Sequence, residues 1–102
     1  MLSKQKIKSQ IQQNAALIRT LGVSKIGLFG SFVRQQQQPG SDIDILLDFS
    51  DGEETFDNFM RVCEVLEDLF KGYKVDILTV KGLSPYIGPH ILNNVEYVKI
   101  GN

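Results

Sequence analysis

The sequence has little of what secreted and membrane proteins rely on. Its single cysteine, Cys63, excludes a disulfide within the chain and is typical of a reducing compartment. No apolar run approaches the roughly 20 residues that a membrane-spanning helix needs. The N-terminus is polar and lacks the apolar segment of a secretion signal. We therefore expect a cytoplasmic protein without membrane association.

A strong net charge is also missing. The 102 residues carry a formal charge of −1, so we expect neither nucleic acid nor a membrane surface as a partner. The local distribution is less even, because residues 1–34 contain no acidic side chain whereas residues 42–68 are acidic, with Arg61 as the one opposing base. This asymmetry predicts a positive N-terminal region and a negative middle, each of which is also compatible with an ordinary solvated surface.

Length and apolar content predict one soluble domain spanning residues 1–102, with its core at about 22–98. Apolar residues at three- and four-residue spacing predict an N-terminal helix over 3–21, capped by Ser3 and stopped by Gly22. The remaining elements follow from periodicity and turn residues. They are strands 26–29, 42–48 and 74–80, a short helix 31–36, helices 56–70 and 84–93, and an extended segment 95–100.

This order of elements favours an α+β fold, in which a small mixed sheet carries helices on one face. Side chains alternate along a strand, so Ile43 and Ile45 share the face that the helices should cover. The other face, bearing Asp42, Asp44 and Asp76, is expected to be uncovered.

Two helices carry more detailed predictions. Pro85 is expected at the first position of helix 84–93, where its missing N–H costs nothing. His90, the single histidine, is interpreted as a residue of that helix's surface or of an interface rather than a base. Cys63 is interpreted as a packed core thiol. The buried stripe of helix 56–70 is predicted to comprise Phe56, Phe59, Met60, Cys63, Leu66 and Phe70.

The most informative residues are the carboxylates. Strand geometry places Asp42 and Asp44 about 7 Å apart on one face, where their charges repel unless a cation binds both. Oxygen ligands with open coordination positions suit Mg²⁺ or Mn²⁺. Asp76 lies within the apolar run KVDILTV, where an aspartate is costly unless it is paired or bound to metal. If its strand neighbours strand 42–48, the three carboxylates match a two-metal site for phosphoryl displacement.

A glycine–serine turn precedes this pair. Gly30 lets the backbone approach an anion, and the N–H groups of the turn with the Ser31 hydroxyl can hold phosphate oxygens. Arg34, one turn further on, can reach a phosphate. Each feature alone has an ordinary explanation: a common turn, a solvated aspartate pair or a surface charge. Their conjunction favours a catalytic site.

The conjunction resembles the nucleotidyltransferase superfamily with the DNA polymerase β-type fold, and more narrowly its minimal bacterial and archaeal members. Their signature is Gly-Ser, ten residues, then Asp-x-Asp. Here it is Gly30-Ser31, residues 32–41 and Asp42-Ile43-Asp44, within GSFVRQQQQPGSDIDILLDF. The resemblance covers about residues 22–98.

The third carboxylate of that family matches Asp76, and a frequent family arginine matches Arg34. The chain departs from the family pattern at Gln35, where a small residue, often glycine, is usual. The resemblance implies that Asp42 and Asp44 bind the metals that carry the nucleoside triphosphate. It also implies that Asp76 binds one metal and helps to activate the acceptor hydroxyl.

The same resemblance implies the chemistry and the setting. The Gly30-Ser31 turn would hold the triphosphate of ATP, with two Mg²⁺ ions possible and Mn²⁺ able to substitute. The chain has no room for the helical domain of larger members, so a partner or a second copy is expected to complete the site. Minimal nucleotidyltransferases often pair with a HEPN-domain toxin, whose tyrosine receives AMP from the antitoxin.

Two other functions remain open at this point. The chain could be a non-catalytic antitoxin that neutralises its partner by complex formation alone, although retention of all three aspartates argues against that. It could also be a nucleotidyltransferase acting on a small molecule or on RNA, against which the missing substrate domain counts. The sequence does not identify the acceptor, the preferred base or the oligomeric state.

Overall fold

The computed structural model describes residues 2–101. Within that range, four strands form one mixed sheet: β1 (Val23–Phe29), β2 (Ile43–Phe49), β3 (Val75–Thr79) and β4 (Glu96–Val98). Their order across the sheet is β3-β2-β1-β4. β1 is antiparallel to both β2 and β4, whereas β2 and β3 are parallel. Two parallel strands need a crossover connection, and the helix α3 (Phe56–Leu69) connects β2 to β3.

The N-terminal helix predicted over 3–21 is two helices, α1 (Lys4–Gln13) and α2 (Ala15–Thr20). Ser3 caps α1 as predicted, accepting a hydrogen bond from the Lys6 N–H. The break occurs at Asn14, whose side chain donates to the Gln10 carbonyl oxygen at 2.9 Å. Asparagine competes for backbone partners in this way, which makes it a poor helix-interior residue.

The short helix predicted over 31–36 is a 3-10 turn, Gly30–Phe32, at the end of β1. Gln35 has a φ of 57°, in the left-handed region, so a right-handed helix cannot continue through it. The strands agree with prediction to within a residue or so, except that β1 begins at Val23 rather than 26. The extended segment predicted near the C-terminus contains β4.

α3 begins as predicted, because the Thr55 hydroxyl accepts a hydrogen bond from the Asn58 N–H at 3.1 Å. Its predicted buried stripe is partly wrong. Phe56 is 77% exposed and Met60 41% exposed. α3 packs near β3, at the edge of the sheet, so only a narrow line of the helix is covered.

That covered line consists of Val62 and Leu66, continued by Phe70 just after the helix, at a spacing of four residues. Phe59 packs partly against the same core. Cys63 lies beside it and is half-buried rather than fully packed. Burial still raises the pKa of its thiol, and the charge of Glu67 adds to the effect.

The last helix also differs from prediction. α4 (Gly88–Asn94) starts four residues later than expected, and Pro89 rather than Pro85 lies in its first turn. Ser84 instead forms a turn before the helix, accepting the Ile87 N–H on its hydroxyl and the Gly88 N–H on its carbonyl oxygen. No helix within residues 2–101 is both long enough and apolar enough to cross a membrane.

The core lies between one face of the sheet and helices α1, α2 and α3. This arrangement confirms the predicted α+β fold. Helices α1, α2 and α3 lie on this face, whereas α4 borders Phe29 of the opposite face. We call this side of β2 the core face, defined by Ile43, Ile45 and Leu47. The fully buried core residues that pack with this face come from four other elements and include Ile7, Ile11, Ile18, Ile26, Leu28, Val62 and Leu66.

The opposite side of β2, defined by Asp44, Leu46 and Asp48, we call the aspartate face. The expectation that it is uncovered is wrong at its centre, because Leu46 is fully buried there. Gly27 is the register partner of Leu46, and a Cβ atom on Gly27 would lie 2.6 Å from Val95 Cγ2. The segment leading into β4 therefore covers the middle of this face, whereas Asp44, Asp48 and the β3 side remain partly accessible.

Candidate active site

Asp44 lies near the start of β2, and the sheet supplies its neighbours. Its register partner on β3 is Asp76 and its partner on β1 is Phe29. Adjacent strands are about 4.8 Å apart, so these three side chains form one row on the aspartate face. The structure thus brings together Asp44 and Asp76, which are separated by about thirty residues in the sequence.

Asp42 precedes β2 and faces Lys74, which precedes β3. The backbones meet where the Ile43 N–H donates to the Lys74 carbonyl oxygen at 2.9 Å. The Lys74 Nζ lies 4.0 Å from Asp42 Oδ2 and 3.9 Å from Asp76 Oδ1. Two of the predicted ligands therefore converge on one point, where a positive charge already lies. The lysine is mostly exposed, so these ion pairs stabilise the fold little.

The electrostatics of Asp44 reflect this crowding. Burial raises the pKa of its carboxyl from 3.8 to about 6, and the charges of Asp76 and Asp42 add to the rise. The positive charges of Arg34 and Lys74 offset only part of it. The described side chains therefore leave the carboxylate cluster short of positive charge.

This cluster suits a hard divalent cation in its chemistry. It offers only carboxylate oxygens and remains partly open to solvent, as Mg²⁺ and Mn²⁺ require when they also bind waters or phosphates. Among residues 2–101, however, no three His, Cys, Asp or Glu side chains are already gathered in a ligand geometry. Like charges repel one another, and Lys74 lies between Asp42 and Asp76.

The Gly30-Ser31 turn touches the cluster directly. Gly30 has a φ of 77°, and a Cβ atom there would lie 2.1 Å from Asp44 Oδ2. Glycine is thus required both for the backbone conformation and for the close approach of the carboxylate. The turn is held by the Arg34 N–H, which donates to the Gly30 carbonyl oxygen at 3.1 Å. Ser31 is half-buried at the same corner.

Arg34 is exposed, and its Nε donates to Gln36 Oε1 at 3.1 Å. Its charge is felt at Asp44, so it lies within electrostatic reach of the cluster. The departure from the family pattern at Gln35 also has a structural meaning. Gln35 is the one non-glycine residue with positive φ within residues 2–101, and this is the conformation that a glycine adopts without strain.

Sequence reasoning missed two parts of the site. Lys74 was not singled out, although a cation two residues before Asp76 was a usable signal. A cavity beside Gly30 was not foreseen, because α4 forms one wall of it and lies almost sixty residues away in the chain. His90 is exposed on α4, as expected, and lines that cavity.

The chain is similar in sequence to known nucleotidyltransferases. A sequence model of the family described as "Polymerase beta, Nucleotidyltransferase" matches residues 5–99. The chain is 35% identical over 99 residues to the protein adenylyltransferase MntA of Thermococcus cleftensis, covering 96% of this chain and 98% of that protein.

Solved structures give the same fold. One assigned as a minimal nucleotidyltransferase superimposes with a TM-score of 0.78 at 26% identity, covering 93% of this chain and 95% of that one. A mutant of the toxin–antitoxin MntA–HpeT has a TM-score of 0.62 at 18% identity, covering 96% of this chain and 73% of that one, which shows the fold alone. The family match spans most of the chain and includes every residue of the carboxylate cluster and its turn. The chain therefore belongs to the polymerase β-type nucleotidyltransferases, among their minimal members.

Proposed function

We propose that this nucleotidyltransferase transfers AMP from ATP to the hydroxyl group of a tyrosine of a HEPN-domain toxin, and thereby acts as an antitoxin in the cytoplasm. The observation that carries the chemistry is the row of carboxylates across β2 and β3, in contact with the Gly30 turn. The relative MntA is named a protein adenylyltransferase, and MntA–HpeT is named a toxin–antitoxin. These names support a protein acceptor and a toxin partner as proposals for this chain, while the tyrosine and the HEPN domain come from the family resemblance alone.

Asp42, Asp44 and Asp76 would hold Mg²⁺, with two ions possible and Mn²⁺ able to substitute. Bound metal would neutralise the triphosphate and stabilise charge on the transferred phosphoryl group. The raised pKa of Asp44 and the placement of Lys74 between the other two carboxylates support this assignment. Both observations indicate a site that favours additional positive charge.

The rest of the step follows from the row of side chains. Gly30 and Ser31 hold phosphate oxygens of ATP, and Arg34 contributes charge from the same turn. The acceptor oxygen forms a bond to the α-phosphorus while the bond from that phosphorus to the bridging oxygen breaks, releasing pyrophosphate. Asp76, at the open end of the row, accepts the proton of the acceptor hydroxyl.

The proposal is tested by label transfer. The chain is incubated with a co-purified HEPN-domain toxin, Mg²⁺ and ATP labelled at the α-phosphate. We expect label on the toxin, and we expect Asp42→Asn or Asp44→Asn to reduce it by about a thousandfold or more. Asp48→Asn is the matched control, because Asp48 lies on the same strand and face but outside the cluster. Transfer that survives both cluster substitutions would refute the mechanism.

The same variants separate catalysis from simple complex formation. If the chain neutralises a toxin only by binding it, Asp42→Asn should still relieve growth inhibition by the co-expressed toxin. If transfer is required, Asp42→Asn should fail to relieve it and Asp48→Asn should succeed. Labelling of RNA or of a small molecule in place of the toxin would redirect the proposal to that acceptor.

A further inference from the structure

Another cavity, of about 280 Å³, lies at the end of the sheet away from the carboxylate cluster. Lys25 of β1 lines it, together with Tyr97, Lys99 and Gly101. The Lys25 Nζ atom lies 5.7 Å from the centre of the Tyr97 ring, within the range of a cation–π contact. Arg19 borders the same cavity, because its Cδ atom would lie 3.3 Å from a Cβ atom on Gly101. We call this feature, defined by these five residues, the basic cavity.

The turn that follows β2 lies beside the basic cavity and carries the opposite charge. We call it the acidic turn, defined by Asp51, Glu53 and Glu54, all of which are exposed. The Ser50 N–H donates to the Gly22 carbonyl oxygen at 2.8 Å, and a Cβ atom on Gly22 would lie 2.6 Å from Glu53 Cβ. The acidic turn is therefore held against the residue that precedes β1. Since neighbouring strands are about 4.8 Å apart, this turn lies about 10 Å from β4 across β1.

The two features form no ion pair within one chain. Among residues 2–101, every ion pair involves Lys4, Lys8 or Lys74, and none reaches the basic cavity or the acidic turn. Asp48 is the register partner of Lys25, yet these two side chains form no ion pair either. Positive and negative charge thus lie side by side at one end of the sheet, and both are available to a partner.

We propose that the basic cavity binds the acidic turn of a second copy of this chain, so that two copies form a dimer about a twofold axis. Rotation by a half-turn about an axis between two adjacent patches of opposite charge places each patch on its complement in the other copy. Such an interface is closed and contains every contact twice. It also accounts for the charge asymmetry of the sequence, since the basic stretch 1–34 contributes to the cavity and the acidic stretch 42–68 contains the turn.

A second copy fits this surface better than another anionic partner does. A nucleic acid or an acidic peptide approaching the basic cavity is repelled by the acidic turn, which lies within about one Debye length at 0.1 M salt, roughly 10 Å. A second copy instead supplies a positive and a negative patch at the matching separation. Exposed ion pairs are individually weak, so the dimer should dissociate in the micromolar range and be sensitive to salt.

This interface lies away from the proposed chemistry and does not depend on it. Asp44 lies near the start of β2, whereas the acidic turn follows the end of that strand, roughly 20 Å away. The dimer therefore brings no residue of the second copy to the carboxylate cluster, and both clusters stay open to substrate.

The first test is sedimentation velocity of the full chain in about 50 mM and about 1 M salt. At low salt we expect a species with twice the 11.5 kDa mass of one chain. At high salt we expect a monomer, because the Debye length falls to about 3 Å. A monomer at low salt and about 0.5 mM chain would overturn the proposal.

Charge reversal then identifies the two surfaces. Lys25→Glu with Lys99→Glu makes the cavity acidic, and Glu53→Lys with Glu54→Lys makes the turn basic. All four side chains are exposed, so both variants should fold, which circular dichroism measures. Each variant alone should sediment as a monomer at low salt, because like charges then face each other. An equal mixture of the two should dimerise again, because each altered patch meets an opposite one.

Lys6→Glu with Lys71→Glu is the matched control, because both lysines are exposed and lie outside the basic cavity. This control acquires the same charge as the cavity variant and should remain a dimer at low salt. A dimer that survives either reversal, or a mixture that stays monomeric, would overturn the interface. A monomeric chain whose binding to a hexaglutamate peptide or to single-stranded RNA requires Lys25 and Lys99 would assign the cavity to that ligand and exclude the second copy.

Discussion

Carboxylates on the two faces of the sheet lie in opposite electrostatic environments. Glu96 of β4 is the register partner of the core residue Leu28. Its carboxylate accepts hydrogen bonds from Lys4 and Lys8 of α1. Those hydrogen bonds hold the pKa of its carboxyl below its ordinary value. On the aspartate face, burial and two neighbouring carboxylates raise the pKa of Asp44 instead.

The difference separates an acid that stabilises the fold from one to which we assign a catalytic role by proposal. The ion pairs of Glu96 attach α1 to β4, so this carboxylate contributes to the folded state. Asp44 lies among like charges that the positive charges of Arg34 and Lys74 offset only in part. Repulsion among these carboxylates weakens the folded state. Active sites commonly keep such unfavourable arrangements, because a bound ligand offsets them.

The largest expected effect tests the core face. Ile45 is fully buried one residue from Asp44, so Ile45→Ala should lower the free energy of unfolding by about 3 kcal/mol through lost burial and a residual cavity. Urea denaturation followed by circular dichroism measures the change. A loss below about 1 kcal/mol would show that this face is less tightly packed than the structure indicates.

The next effect tests the aspartate face and has the opposite sign. The folded-state pKa of Asp44, about 6, exceeds its ordinary value of 3.8, so the folded state binds more protons than the unfolded state between those values. Stability due to this group therefore falls as pH rises through that window. Asp44→Asn removes the penalty and should stabilise the metal-free chain above pH 6. Because the carboxyl is partly open to water, screening limits the gain to about 1 kcal/mol at pH 8.

Two controls sharpen this result. Glu96→Gln should destabilise the chain at neutral pH by about 0.5 kcal/mol, an effect lost as pH falls because the folded-state pKa of Glu96 is lowered. Added Mg²⁺ should stabilise the unmodified chain but not Asp44→Asn, since a ligand stabilises the state that binds it. If Asp44→Asn is the less stable protein at pH 8 without metal, the electrostatic account of this face is wrong.

The smallest effect concerns Lys74. Its Nζ lies within about 4 Å of two proposed metal ligands, so Lys74→Met removes a cation that competes with Mg²⁺. A charge at that distance is worth about 1 kcal/mol in water, so Mg²⁺ should bind about twofold to fivefold more tightly. Calorimetric titration measures this, with exposed Lys71→Met as the control. Weaker Mg²⁺ binding in Lys74→Met would instead assign the lysine a supporting role at the site.

The predictions from sequence succeeded where local interactions decide the outcome. Ser3 and Thr55 cap their helices as expected, since a cap needs only the next three residues. They failed at Asn14, where a side-chain hydrogen bond interrupts a continuous apolar periodicity. They also failed for Phe56, whose burial depends on where α3 lies over the sheet rather than on its spacing within the helix.

The sequence by itself determined the chemical groups of the site. Gly30-Ser31 and the Asp42–Asp44 pair lie within fifteen residues, so strand alternation and turn geometry suffice to place them together. Only the tertiary structure decided that β3 pairs in parallel with β2, which brings Asp76 beside Asp44. It likewise decided that α4 forms a cavity next to Gly30. These contacts join segments that are distant in the sequence. Burial of the shared core favours them, whereas the local preferences of the backbone do not specify them.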